Sequence, residues 1–201
     1  VPELQTVVDL AAGNVALQPN FNTYADNPTD PFWVDQSTGE GNKTMEANTY
    51  VEDNTLVGSE VTFTGPVAAY TLDAGYTAVA FIKVFNADFS VLKIETAPLV
   101  AGENFEVVYT NVEPSDTVLQ YGFQVIGINA NPANEVALGN VLIGNSNVDQ
   151  VTVDFDPEAA WLGFMNVFET PANGGGYVFG SGWGVPELQT VVDLAAGNVA
   201  L

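Results

Sequence analysis

The first 17 residues of the chain, VPELQTVVDLAAGNVAL, return without a single change at residues 185–201. A verbatim match of this length does not arise by chance, and self-similarity at a fixed period is the signature of repeat architectures. The two copies begin 184 residues apart, since 185 minus 1 is 184. The sequence therefore predicts tandem modules of that period. We expect the 201 residues to be a window on a longer array, with residues 185–201 belonging to a further copy.

Acidic residues greatly outnumber basic ones. The chain contains 25 Asp and Glu against three Lys, with no Arg or His, for a formal net charge of −22. Nucleic acids and anionic membranes are bound through Lys and Arg, so neither is expected as a partner. Acidity keeps a protein soluble where salt screens its self-repulsion over about 8 Å, and carboxylates also bind Ca²⁺. We expect an extracellular or cell-surface protein, with solubility as the main role of the charge and structural Ca²⁺ as the alternative role.

The residue types present exclude most catalytic mechanisms. The absence of Cys and His removes disulfides, thiol and Ser-His-Asp nucleophiles, and Cys- or His-based metal catalysis. A carboxylate pair of the glycosidase kind remains, such as Asp35 with Glu40 or Glu46. In so acidic a chain some pair always falls nearby, so we expect no enzymatic activity. No apolar run approaches the roughly 20 residues that span a bilayer, so no membrane span is expected.

Short apolar stretches separated by Gly, Pro, Asn and Asp predict an all-β fold. Apolar and polar residues alternate in Glu60–Thr64 and Val118–Asn129, as in strands with one buried face, whereas Tyr76–Phe85 is apolar on both faces. The glycines 174–176 predict a hairpin turn. The remaining predicted strands are Met45–Glu52, Phe105–Thr110, Val136–Ile143, Val151–Phe155, Ala160–Phe168 and Tyr177–Trp183. Together they predict an antiparallel β-sandwich.

Two blocks of the sequence carry a resemblance to known proteins. One is Ala160–Gly184 (AWLGFMNVFETPANGGGYVFGSGWG), and the other is Phe32–Glu52 (FWVDQSTGEGNKTMEANTYVE) with AFIKVFN and YGFQVIG behind it. Together they resemble β-sandwich tandem repeats of large secreted and surface proteins of marine bacteria. The second block is also similar to jelly-roll carbohydrate-binding modules. The resemblance implies a jelly-roll-like repeat module.

The same resemblance implies a module boundary inside the chain. In the family the AWLGFMNVF block opens a module, whereas here it follows the YGFQV and GNVLI blocks. Residues 1–145 are then the larger part of one module, 146–150 a linker, and 151–201 the opening strands of the next tandem copy. Two arrangements stay open. The strands of 151–183 either pack on their own 1–145 or complete an adjacent copy by strand addition.

The candidate Ca²⁺ ligands are acidic residues in two clusters. One cluster lies in the long loop that precedes Lys43, and the other, DFDPE, lies at the end of a predicted strand. Their members are Asp26, Asp30 and Asp35 in the loop, and Asp154, Asp156 and Glu158 at the strand end. Jelly-roll binding modules commonly carry one structural Ca²⁺, so the resemblance implies such a site. The alternative is that these Asp residues cap their own turns.

The candidate glycan-binding residues surround one tryptophan, because sugar rings stack on exposed aromatic faces. Trp33 lies in the acidic loop with Gln36 and Asn42 near it, and Tyr50 follows on a predicted strand. Packing beneath the loop is the alternative role for Trp33.

Lys83 is a single cation inside an apolar predicted strand. A buried charge requires a partner. We expect an ion pair with an acidic residue, with a covalent Lys–Asn or Lys–Asp cross-link as the alternative.

Two functions remain. The verbatim repeat favours a structural or adhesive module of a giant extracellular surface protein or filament, whose partners are other copies of the same module. The alternative is a carbohydrate-binding module of a secreted polysaccharide-degrading enzyme. Surface glycans are a partner in the second case and compatible with the first.

Overall fold

Two antiparallel β-sheets, packed face to face as a sandwich, form the body of the protein. The computed structural model describes residues 6–9, 12–90, 92–144, 161–183, 191–193 and 198–200. One sheet has five strands and the other has six. The predicted all-β sandwich is thereby confirmed. No helix among these residues is long and apolar enough to cross a bilayer.

The strands follow one another along the chain, and a long connection, residues 18–42, joins β2 to β3. Their bounds are β1 Thr6–Asp9, β2 Asn14–Leu17, β3 Lys43–Glu52, β4 Val61–Tyr70, β5 Thr77–Asn86, β6 Leu92–Pro98, β7 Asn104–Tyr109, β8 Asp116–Ile128, β9 Val141–Gly144, β10 Trp161–Glu169, β11 Tyr177–Trp183, β12 Val191–Asp193 and β13 Asn198–Ala200. Two short helices, α1 Asn22–Asp26 and α2 Glu135–Leu138, lie in the connections. Single 3₁₀ turns cover Asn54–Leu56, Pro132–Asn134 and Pro171–Asn173.

The strand order places the long strands in the middle of the larger sheet. The five-stranded sheet runs β1-β2-β9-β4-β7, and the six-stranded sheet runs β11-β10-β3-β8-β5-β6. Successive side chains of a strand point to opposite faces, so each sheet has an inner face toward the other sheet and an outer face away from it. In β8, Leu119, Phe123 and Val125 are buried in the core, as their alternation predicts.

Four interlocking aromatic rings join the two sheets. Phe63 is fully buried, and its ring centroid lies 4.9 Å from that of Phe105, its neighbour in the five-stranded sheet. Across the interface the same ring lies 5.2 Å from Tyr121 and 5.4 Å from Phe123. These tilted and edge-on contacts add specific geometry to the burial of apolar area. Phe63 is therefore the centre of the main core.

Residues 161–183 extend the six-stranded sheet within the same chain. All nine residues of β10 pair with β3, from Trp161 opposite Val51 to Glu169 opposite Lys43. Lys43 is buried, and its Nζ lies 3.1 Å from Glu169 Oε2. The hairpin predicted from glycines 174–176 is present, since β11 pairs back on β10. Residues 146–150 and the predicted strand Val151–Phe155 lie outside the described residues.

The described strands of the repeated sequence form the same hairpin in both copies. In the first copy Val7, Val8 and Asp9 stand opposite Ala16, Val15 and Asn14. The equivalent residues of the second copy, Val191, Val192 and Asp193, stand opposite Ala200, Val199 and Asn198. The first hairpin is docked in the sandwich because β2 pairs with β9. The second forms a separate two-stranded sheet.

The prediction of a strand over Val136–Ile143 is wrong in its first half. Residues 135–138 form α2, and only Val141–Gly144 is a strand. Gly139 separates the two with φ of +68°, and a Cβ there would lie 2.1 Å from the Thr71 carbonyl oxygen. The chain changes direction at this glycine because only Gly combines that backbone conformation with so close an approach.

A polar network at one end of the sandwich also ties the sheets together. Lys93 Nζ donates to Asp116 Oδ1 at 2.8 Å, and the Tyr109 hydroxyl donates to Asp116 Oδ2 at 2.8 Å. Burial acts to raise the pKa of Asp116, but the hydrogen bonds from Lys93, Glu113 and Tyr109 outweigh it and hold that pKa below its usual value. Asp116 is therefore ionised in the folded protein at neutral pH.

Candidate functional site

A groove on the outer face of the six-stranded sheet is the candidate site. It has a volume of about 530 Å³ and combines aromatic, amide and charged side chains. Strands β3, β5, β8 and β10 form its floor, and the turn after β5 forms one wall. Its lining residues are Glu46, Asn48, Tyr50, Glu52, Lys83, Phe85, Phe89, Leu92, Gln120, Phe164 and Asn166.

The two-residue period of β3 places its polar residues in this groove. Met45 is buried on the inner face, so Glu46, Asn48 and Tyr50 project outward. On the neighbouring β8, Gly122 lies directly opposite Tyr50. A Cβ at Gly122 would lie 2.1 Å from the Thr49 carbonyl oxygen. The glycine thus lets β3 and β8 approach closely at the floor of the groove.

Phe89 forms an aromatic wall in a strained conformation. Its side chain is 57% exposed, and its ring centroid lies 5.2 Å from that of Phe85. Phe89 is the only non-glycine residue with a positive φ, 57°, in the part of the chain that the structure describes. A left-handed backbone costs a residue with a Cβ about 1–2 kcal/mol. Such strain concentrates at functional positions.

Side-chain amides and carboxylates pair along the floor. Asn48 Oδ1 accepts from Lys83 Nζ at 2.8 Å and from Gln124 Nε2 at 3.0 Å. Asn166 Nδ2 donates to Glu46 Oε1 at 2.9 Å. These bonds fix the positions of the polar groups, so the floor is preorganised.

Lys83 does not form the expected ion pair. Among the described residues no carboxylate lies within 4.0 Å of its Nζ, and its hydrogen-bond acceptor is an amide oxygen. The Phe81 ring centroid lies 4.4 Å from the same Nζ. Burial lowers the pKa of Lys83, with the charge of Glu46 acting in the opposite direction. The prediction that Lys83 pairs with an acidic residue is therefore wrong. The strands bring the amide of Asn48, not a carboxylate, to the amine.

The structure brings only one of the four predicted glycan-binding residues into the groove. Tyr50 lines it, and burial followed by the charge of Glu52 raises the pKa of its hydroxyl. Trp33 instead packs against the buried cluster of Met45, Met165 and Val167 on the inner face. Trp33 and Tyr50 therefore lie on opposite faces of the sheet.

The other two predicted glycan-binding residues hold the loop around Trp33 together. Gln36 Nε2 donates to the carbonyl oxygens of Val34 at 3.0 Å and Pro28 at 3.3 Å. Asn42 Nδ2 donates to the Pro31 carbonyl oxygen at 2.9 Å. Both side chains thus stabilise the backbone of the loop.

Two of the three predicted Ca²⁺ ligands in the loop, Asp30 and Asp35, accept hydrogen bonds from their own turns. Asp35 Oδ1 accepts from Ser37 N at 2.8 Å and Ser37 Oγ at 2.6 Å, which lowers the pKa of Asp35. Asp30 Oδ1 accepts from Phe32 N at 2.9 Å. No group of three or more acidic residues, Asp26 included, is placed to hold a metal ion in the described part of the chain. Asp154, Asp156 and Glu158 lie outside the described residues. Bound Ca²⁺ stays a prediction.

Most of the groove was not predicted from the sequence. In the sequence, nothing distinguishes three of its residues from ordinary polar residues on the solvent-facing side of strands: Asn48, Gln120 and Asn166. The available signal was the strand period, which places Gln120 and Gln124 on the face opposite Leu119. What the period does not reveal is that Phe89 and β10 border this face and make it concave.

Comparison of the chain with protein-family models, with curated proteins and with solved structures found no match.

Proposed function

We propose that the protein is a structural module of a tandem array at an extracellular surface. The observation that carries this proposal is the hairpin of β1 and β2, which forms a second time as β12 and β13 with the same register. In the first copy this hairpin is an integral part of the sandwich through β2 and β9. By sequence identity the second hairpin docks in the same way on the β9 of the following copy.

The proposed module consists of residues 1–184. Its support is the continuous pairing of β10 with β3 and the ion pair of the buried Lys43 with Glu169, both within one chain. The alternative is a module boundary at 146–150, with β10 and β11 donated to an adjacent copy. The β10–β3 pairing and the Lys43–Glu169 ion pair would then form between two copies of the module. In either case the array is held together by strand pairing, and copies of the module are the main partner.

The acidic surface supports an extracellular location. A net charge of −22 favours a medium whose salt screens repulsion between neighbouring modules. The resemblance to repeats of marine bacterial surface proteins agrees with this. An adhesin or filament of such modules fits these features.

Hydrogen exchange on a two-copy protein tests the proposal. A two-stranded hairpin that pairs with no third strand is marginal in water, so we expect amides of Val191–Asp193 to exchange rapidly in the 201-residue chain. In a protein with residues 1–184 repeated twice, docking on the second β9 slows their exchange more than about 100-fold. Peptides that begin upstream of residue 185 distinguish this hairpin from the first. Equal exchange in both proteins would contradict docking.

A second candidate function is glycan binding in the outer-face groove. The observation that favours it is the strained, exposed Phe89 beside Phe85 and Tyr50, above a floor of ordered amides. Aromatic faces stack on sugar rings, and fixed polar groups select their hydroxyls. Glu46 and Glu52 make the groove acidic, so neutral glucans and galactans fit better than the polyanion alginate.

Phe89→Asn is expected to separate stability from glycan binding. Asn tolerates a positive φ, so relief of strain offsets the lost ring contact with Phe85, and the free energy of unfolding changes by less than about 1 kcal/mol. Affinity for a neutral glucan should fall about tenfold or more. Isothermal titration measures the affinity and urea denaturation the stability.

The matched control for this variant is Phe32→Asn. Phe32 is also exposed, but it lies in the loop beside Trp33, with the two ring centroids 4.8 Å apart. We expect its replacement to leave glycan affinity unchanged. Loss of affinity in the loop variant alone would move the site to the loop around Trp33. No binding to any glucan or galactan would remove this candidate function.

A further inference from the structure

We propose that Lys83 and Asn48 become joined by an intramolecular amide bond. The bond links Lys83 Nζ to Asn48 Cγ and covalently connects β5 to β3 across the intervening strand β8. This modification goes beyond the proposed role in an array and does not depend on it.

The first support is the contact between the two side chains. Lys83 Nζ and Asn48 Oδ1 are 2.8 Å apart, so the amine lies next to the carbonyl that it would attack. The two residues are 8% and 1% exposed, respectively. Little water competes with the amine as a nucleophile at this position.

The second support is the contrast with the other two lysines. Lys43 pairs with Glu169 at 3.1 Å and Lys93 with Asp116 at 2.8 Å. In a chain with 25 acidic residues, Lys83 alone of the three faces an amide instead of a carboxylate. A buried ammonium without a counter-charge is costly, and conversion of the amine to an amide removes that charge permanently.

The surrounding groups can assist the reaction. Burial lowers the pKa of Lys83, which increases the fraction of neutral amine that can act as a nucleophile. Gln124 Nε2 donates to Asn48 Oδ1 at 3.0 Å, where negative charge develops during attack. Glu46 lies two residues before Asn48 on the same face of β3 and lines the same groove. Its carboxylate can transfer a proton from Lys83 Nζ to the departing amide nitrogen of Asn48.

The reaction balances without any further reagent. The Nζ lone pair of the neutral amine forms a bond to Asn48 Cγ, and the Cγ–Nδ2 bond breaks. Because the Glu46 carboxylate lies more than 4.0 Å from Nζ, it accepts the proton from Nζ through one water and delivers it to the departing Nδ2, which leaves as ammonia. No oxidant or reductant is needed.

Mass spectrometry of the intact wild-type protein tests the bond. We expect a mass lower than the sequence mass by one ammonia, about 17 Da. Trypsin cleaves after free lysine, and both residues lie in 44–93. The digest should therefore contain one peptide of residues 44–93, not cleaved after Lys83 and about 17 Da lighter than its sequence mass. Full mass with cleavage after Lys83 would overturn the proposal.

Variants locate the loss of ammonia. Lys83→Met and Asn48→Ala should restore the full mass, while Lys93→Gln, the matched lysine control, should keep the loss. Glu46→Gln should slow bond formation about 100-fold or more, and circular dichroism checks that this variant folds. Asn173-Gly174 can lose ammonia by itself as a succinimide, but it lies in 94–201. A loss mapped to that peptide, or one that persists in Lys83→Met, contradicts the bond.

Discussion

A chain that ends at residue 145 is expected to be unstable and to aggregate. Removal of β10 deletes the buried side chains of Met165 and Val167 and uncovers Met45. Burial of one such side chain contributes about 1.5–3 kcal/mol, so the three together account for roughly 5–9 kcal/mol. That is comparable with the whole stability of a domain, about 5–15 kcal/mol. The truncation also exposes β3 as a long edge strand, which is prone to pair with other chains.

The matched control is a chain that ends at Gly184. It retains β10 and β11 and loses only the second hairpin, so its urea midpoint should equal that of the 201-residue chain. Urea denaturation followed by tryptophan fluorescence, with light scattering for aggregation, measures both truncations. A chain of residues 1–145 as stable as the control would show that β10 is not part of this module.

Phe63→Ala is expected to destabilise the protein by about 3–5 kcal/mol. The side chain is fully buried and contacts Phe105, Tyr121 and Phe123. Its removal leaves a cavity between two rigid sheets that cannot collapse, so the loss of packing adds to the loss of apolar burial. The effect appears as a lower urea midpoint with an unchanged denaturant slope.

Phe89→Ala is the matched control for this core variant. Phe89 is mostly exposed and contributes a tilted ring contact with Phe85, so its truncation should cost no more than about 1 kcal/mol. A small effect of Phe63→Ala, similar to that of Phe89→Ala, would contradict the assignment of Phe63 to the centre of the core.

The fold class follows from local pattern, because the strand period fixes which residues face the core. Alternation in β8 correctly separates Leu119 and Phe123 from Gln120 and Gln124. The edge strand β6 has no such signal, since Leu92, Ile94 and Glu95 are not buried and its pattern does not alternate cleanly. Hydrophobic periodicity detects burial, and a strand at the sheet edge is hardly buried.

The site is harder to predict because it depends on contacts between residues distant in sequence. Asn48 and Lys83 meet across β8, and Asn166 reaches Glu46 from a strand 120 positions further along the chain. Trp33, by contrast, was predicted to belong to the site and does not. An aromatic residue in a polar loop suggests exposure, but the loop folds over the inner face of β3 and half buries it. Side-chain type alone does not distinguish these two environments.

The Lys83–Asn48 contact lies in the groove of the six-stranded sheet, whereas the first copy of the repeated hairpin belongs to the five-stranded sheet. The contact ties β3 to β5 and the β10 pairing ties β3 to the end of the module. A covalent link here would resist separation of the strands under tension along an array. Mechanical load is what a filament or adhesin module bears, so the two proposals agree without depending on each other.

Disulfide trapping in a two-copy protein tests the tandem arrangement most directly. The chain has no cysteine of its own, and Ala16 lies directly opposite Leu142 in the β2–β9 pair. Opposed positions of an antiparallel pair are close enough for a disulfide. Ala200 is the equivalent of Ala16 in the second copy, so it is changed to Cys together with Leu142 of either the first or the second copy. We expect a disulfide within one chain when the second copy's Leu142 is changed, and none when the first copy's is. The proposal that each module begins with its own hairpin would be contradicted by a disulfide to position 142 of the first copy. Disulfides that form only between separate chains would contradict it as well.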